Sequence, residues 1–308
     1  MHTMSPTVRQ VVIFTGLICL FFYPAGYSSA AQGVKVKMLS SIAADETLGR
    51  FNLPSALFYD ENKKRLYVAD SGNKRIVSLD SEFKFLAELT KKEIILPVGI
   101  VRDEKGIFYL VDAGRSEVLR LDVAKELVEP LPLSGIPNGR YLFSPGKIAL
   151  DREDNIYIVD KLNKRVIVVD AAGAFVRLLT VNAEDFHGIT DVRVDDEGYA
   201  YALDTVGRMV YVFDNKGRFL SRFGGSESGL FLFPVSIASG RSGQVYVADR
   251  HAGKIMIFNR SGIFQYAIGK KGKKEGELSS PSYLWLDKSN RVYVIDGNRI
   301  QVFKEEKE

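Results

Sequence analysis

The side chains that could do chemistry in this chain are few. Apart from His2, the histidines are His187 and His251, and the single cysteine is Cys19. His187, His251 and Asp191 together form the one set whose side-chain types could ligate a transition metal. Zinc catalysis ordinarily uses three protein ligands with a fourth position left open. No Gly-x-Ser-x-Gly elbow and no phosphate-cradling Gly-x-x-x-x-Gly-Lys-Ser/Thr loop occurs, which removes the familiar serine-hydrolase and nucleotide-binding chemistries. The most conspicuous reactive pattern is an aspartate followed five residues later by a cation, as in Asp70 with Arg75 and Asp160 with Arg165. Such a pair could be a ligand-binding dyad. It recurs along the chain, however, and a carboxylate at a strand end that accepts backbone N–H bonds from the following turn explains recurrence better.

That recurrence leads to the elements that carry these residues. Leu66-Tyr67-Val68-Ala69-Asp70 returns as Tyr109-Leu110-Val111-Asp112, Tyr157-Ile158-Val159-Asp160, Tyr201-Ala202-Leu203-Asp204, Tyr246-Val247-Ala248-Asp249 and Tyr293-Val294-Ile295-Asp296, with intervals of 42, 48, 44, 45 and 47 residues. Periods of this size mark repeat architectures. Each unit holds four short apolar runs rich in Val, Ile, Tyr and Phe, separated by Gly, Asn and Asp, which is the pattern of four antiparallel strands. One such sheet, apolar on both faces, cannot bury itself; six arranged radially can. The sequence therefore predicts an all-β fold, a six-bladed β-propeller of four-stranded antiparallel blades. The sixth repeat ends at Val302-Phe303-Lys304 without a fourth run, while Val34-Lys35-Val36-Lys37-Met38-Leu39 precedes the first repeat unpaired. This N-terminal strand is expected to complete the last blade, its alternating Lys suiting an outer edge.

The chain resembles the NHL-repeat propellers. Gly269, Gly272, Gly276, Leu278 and Pro281 follow that family's punctuation and continue through Leu286-Asp287 to Tyr293-Val294-Ile295-Asp296 and Arg299-Ile300-Gln301-Val302-Phe303, with a second copy from Phe223-Gly224 through Gly229 and Pro234 to Ile255-Met256-Ile257-Phe258. Blade 4 lacks the introducing Pro, and blade 2 has Glu117 where the cation stands elsewhere. Because few polar side chains are expected at the channel mouth, a non-catalytic binding or scaffold propeller is the expected function. The resemblance also brings in related six-bladed lyases and lactonases with a metal in the central channel; the three-histidine set of the amidating lyases among them has no counterpart here.

Residues 1–31 read as a secretory signal. Arg9 precedes the apolar run Val11 to Tyr23, which is shorter than a comfortable span, and Ser28-Ser29-Ala30-Ala31 offers small residues for cleavage. Residues 32–308 are expected to form a single propeller domain in the periplasm or outside the cell, with an uncleaved N-terminal membrane anchor as the alternative. Removal of the signal removes Cys19, so disulfides and thiol chemistry are excluded. Formal charge is +4, from 42 basic and 38 acidic residues. That balance argues against nucleic acid as a partner, and a monomer engaging a protein or cell-envelope ligand is expected.

In a propeller, the loops entering each innermost strand and the turns between second and third strands share one face, here termed the entry face. The innermost strands begin at Ala56, Gly99, Lys147, Asp191, Ser236 and Tyr283. The expected ligand-binding residues are Tyr141, Lys147, Asp191, His187, Ser236, Arg250, His251 and Tyr283, with Tyr283 as an exposed aromatic anchor. No cofactor is expected; a structural calcium in the channel is the one metal kept open, since such a site needs oxygen ligands rather than histidine. The stretch from Glu129 to Pro145, with Pro130, Pro132 and Pro137, is expected to overhang this face.

Overall fold

Six sheets of four antiparallel strands are arranged as blades in a computed structural model that describes residues 34–45 and 47–307. The signal segment expected at 1–31 lies outside the described residues. Blade 1 runs from its innermost strand Pro54–Asp60 through Arg65–Asp70 and Arg75–Leu79 to Phe85–Leu89. The innermost strands of blades 2 to 6 are Pro97–Arg102, Pro145–Leu150, Asp191–Val194, Pro234–Ser239 and Pro281–Leu286. Alternation explains the packing. In the second and third strands nearly every residue is buried, because both faces of each sheet lie against a neighbouring blade.

The last blade is closed as the sequence predicts. Val34–Ile42 pairs antiparallel with Arg299–Lys307, from Val34 opposite Lys307 to Ile42 opposite Ile300, with a register shift between Met38 and Ser40. Met38 packs on the core between blades 5 and 6, while Val36 and Leu39 remain exposed on the outer edge.

The repeated aspartates are architectural. Asp70, Asp112, Asp160, Asp204, Asp249 and Asp296 are all buried. Each accepts a backbone N–H from the loop entering its own blade: from Asn52 (2.7 Å), Ile95 (2.7 Å), Ser144 (3.2 Å), His187 (2.7 Å), Leu232 (2.6 Å) and Ser280 (2.6 Å). Most also hold the turn that follows, as Asp112 accepts from Arg115 N–H and Asp249 from Ala252 N–H. One carboxylate thus ties the incoming loop to the outgoing turn, satisfying donors that a loop would otherwise leave unpaired. The cation five residues on joins only some copies: Arg75 and Arg165 bond their aspartates at 2.9 and 3.1 Å.

Five innermost strands open at a proline with a register shift directly after it. Blade 4, which lacks that proline, pairs without a shift, and Thr190 N–H donates to Leu203 O at 2.7 Å. The long loop of residues 131–144 first pairs Ser134 with Ala174 at the outer edge of blade 3 and then crosses onto the entry face. There Tyr141 N–H bonds Asn163 Oδ1 at 2.8 Å, and Arg165 donates to Pro137 O at 3.0 Å.

Candidate functional site

Side chains at alternate positions of an innermost strand share one face, so Asp191 and Arg193 of blade 4, and Tyr283 and Trp285 of blade 6, turn to the channel together. Asp191 is fully buried. Its Oδ2 accepts from Ser236 Oγ (2.7 Å) and Ile237 N–H (3.1 Å), and its Oδ1 from Arg193 Nη1 (3.0 Å) and Val192 N–H (2.9 Å). Ser236 Oγ in turn accepts Leu284 N–H at 3.1 Å, so one hydrogen-bonded chain stitches blades 4, 5 and 6. The Arg193 guanidinium lies 4.9 Å from the Tyr283 ring centre and 5.9 Å from that of Trp285, and its Nη1 also donates to Val192 O. Burial opposes its charge, but Asp191 and the Tyr283 hydroxyl outweigh that, leaving its pKa raised. The same burial pushes the Tyr283 hydroxyl up to about 12. Arg193, Tyr283 and Trp285 thereby cluster across the channel, and a cavity of about 120 Å3 borders Arg193 and Trp285.

Above this plug, Lys147 enters from blade 3. Its Nζ donates to Ser55 O at 2.7 Å and lies 4.4 Å from the centre of the Tyr283 ring. Among the described residues no carboxylate forms an ion pair with it. Desolvation brings its pKa down to about 8; Asp191 opposes this, while Arg193, Lys161 and Arg250 reinforce it. Lys161 and Arg250 follow the strand-end aspartates of blades 3 and 5, so the channel mouth gathers cations from two blades around Lys147.

The eight residues singled out from sequence therefore separate into three groups. Lys147 and Arg250 share the mouth. Asp191, Ser236 and Tyr283 lie below it as interior structure, and Tyr283, 1% exposed, is not the exposed aromatic anchor expected of it; it is covered by the Lys147 ammonium and Arg193. His187, His251 and Tyr141 stand on the rim, each with its own neighbours. His187 Nδ1 faces Asp204 at 3.8 Å, His251 stacks on Phe233 with 4.7 Å between ring centres, and Tyr141 is half exposed beside Arg140.

The geometry does not bring His187, His251 and Asp191 together, and among the described residues no three His, Cys, Asp or Glu side chains gather as metal ligands. For a channel calcium, the described residues offer Asp191, whose carboxylate is already met by four donors, with the Arg193 and Lys147 cations close by.

Arg193, Trp285 and Lys161 escape the reading from sequence. The signal for the first two is present as alternation from Asp191 and Tyr283. Around the mouth, the entry face exposes Leu53, Ile95, Leu142, Leu162, Val206 and Leu232, contributed by five blades. The long loop adds a groove of about 740 Å3 lined by Ile136, Tyr141, Leu142 and Phe143 with Asn163 and Arg165.

Comparison with known proteins agrees with this architecture. Residues 235–304 match a family described as "6-bladed beta-propeller". Virginiamycin B lyase from Staphylococcus aureus is similar in fold, with a TM-score of 0.64 at 12% identity, over 88% of this chain and 99% of that one. A streptogramin B lyase gives 0.61 at 13%, over 91% and 100%. A gluconolactonase from Xanthomonas campestris gives 0.64 at 15%, over 89% and 90%. At such identities the likeness is one of fold: the described chain is a six-bladed β-propeller closed by its N-terminal strand.

Proposed function

We propose that this chain is an exported, NHL-type binding propeller whose entry face engages a protein or cell-envelope ligand, with an acidic group of that ligand seated over the channel mouth. The observation that carries this reading is the Lys147 ammonium, half-buried beside two further cations and, among the described residues, in no ion pair with a carboxylate. An incoming carboxylate would supply the missing countercharge as a charge-assisted hydrogen bond. The exposed apolar residues around the mouth supply the area that specific association uses.

The test uses a fluorescently labelled oligoglutamate peptide with apolar flanks. With its pKa lowered to about 8 in the folded, unliganded chain, Lys147 is mostly protonated at pH 7 and mostly neutral at pH 9. Affinity is expected to fall about tenfold across that interval, and Lys147→Met should remove both the binding and its pH dependence. Stability should move the opposite way. Because the unfolded lysine keeps its proton to higher pH than the folded one, the cost of burying the charge is present in full below about pH 8. It is relieved as the pH rises toward 10.5. Lys147→Met is therefore expected to gain up to about 3 kcal/mol at pH 7, less the cost of the lost Ser55 hydrogen bond. Equal affinity at both pH values in the folded wild type would overturn the reading.

The second reading, a metal-dependent lyase or lactonase working at the channel mouth, is supported by the enzymes that share the fold. Lactone-opening assays with and without added divalent cation separate the two: turnover that depends on the cation favours the enzyme.

A further inference from the structure

We propose that the cleft between blades 1 and 2, remote from the channel, is a binding site for an amphiphile with an apolar body and a carboxylate head. The cleft arises from two small residues. Ser78 and Ala87 face each other across the third and fourth strands of blade 1. At the equivalent pairs, blade 3 carries Val168 and Arg177, and blade 5 carries Ile257 and Tyr266, whose larger side chains occupy the space between blades. In blade 1 that space stays open as a cavity of about 470 Å3, walled by Tyr67, Ile76, Leu89, Ile100, Phe108 and Leu121. This is within the usual size of small-molecule sites, and the lining is of the usual apolar kind.

The rim decides the charge of the occupant. Lys63, Arg65 and Lys105 are exposed at the cleft, and among the described residues none forms a close ion pair, Lys105 having Asp154 only as a more distant opposite charge. The two acids at the same rim are already neutralised, Glu88 by Arg75 at 2.6 Å and Asp122 by Lys125 at 3.0 Å. Arg102, which borders the cavity over the Phe108 ring, is held by Asp60 at 2.5 Å. An apolar body would therefore fill the wall while a carboxylate meets cations that hold no close ion pair. A neutral or cationic head gains nothing there.

Calorimetric titration of the full chain with decanoate, below its micellar concentration, tests the site. Saturable 1:1 binding is expected, tightening about fourfold per added CH2 from octanoate until the cavity is filled. Decanol and decyltrimethylammonium should bind at least tenfold more weakly. Ala87→Tyr, which fills the cleft in the manner of Tyr266, should abolish binding with the melting temperature unchanged or raised. Arg65→Glu combined with Lys105→Glu alters only exposed side chains and should weaken binding at least tenfold. Absence of saturable binding, equal binding of decanol, or retention by Ala87→Tyr would each overturn the proposal. So would loss of decanoate binding in Lys147→Met, which would place the carboxylate at the channel mouth.

Discussion

Asp191→Ala is expected to lower the unfolding free energy, measured by urea denaturation, by about 3–5 kcal/mol. The cost does not come from one lost salt bridge. The carboxylate is fully buried and satisfies four donors contributed by blades 4 and 5. Its removal leaves the Arg193 guanidinium, whose Nε already has no partner, as an uncompensated cation between two aromatic rings. Ser236 Oγ–H and the Ile237 N–H lose their acceptor in the same step. Asp191→Asn keeps the shape and most of the hydrogen bonds and should cost less. Pairing Asp191→Ala with Arg193→Met removes the stranded charge and should recover much of the loss, since a matched apolar replacement of a buried ion pair is often near neutral. A loss below about 1 kcal/mol for Asp191→Ala alone would show that Arg193 finds another way to be solvated.

Removal of residues 32–43 is the second large effect. The chain would lose the whole outer strand of blade 6, the eight-position ladder from Val34 to Ile42, and the burial of Ile42 and Met38. At about 0.5–1.5 kcal/mol per hydrogen bond and 1.5–3 kcal/mol per buried aliphatic side chain, a loss of at least 5 kcal/mol follows. For a domain of this size it corresponds to a fall in melting temperature of roughly 10–20 °C. The bared edge of Arg299–Lys307 should also pair between molecules, giving larger species in size-exclusion chromatography. A synthetic peptide of residues 32–43 is expected to restore both properties. A truncated chain that stays monodisperse with unchanged melting would contradict the closure.

Blade number, strand content and ring closure are legible in the sequence because they depend on local alternation repeated in phase. The aspartate at each second-strand end could be read as structural for the same reason: six copies at one position serve one purpose. The sequence anticipates only half of its bonding, however, because the loop it holds enters 16 to 18 residues earlier. Arg193 and Trp285 were equally within reach, since a period of two places them on the faces of Asp191 and Tyr283.

Depth and cross-blade apposition belong to the tertiary structure alone. Whether Tyr283 is an exposed anchor or a buried floor depends on Lys147 of blade 3 and Arg193 of blade 4 closing over it, and these lie 136 and 90 residues away in the chain. Likewise, Ser78 and Ala87 are unremarked small residues until strand register sets them opposite each other and blade packing leaves nothing to fill the gap. A sequence fixes the period of side chains along each strand. How far one blade's side chains reach into the space of the next is decided only when all six are packed, because close packing is settled by the volumes that meet there.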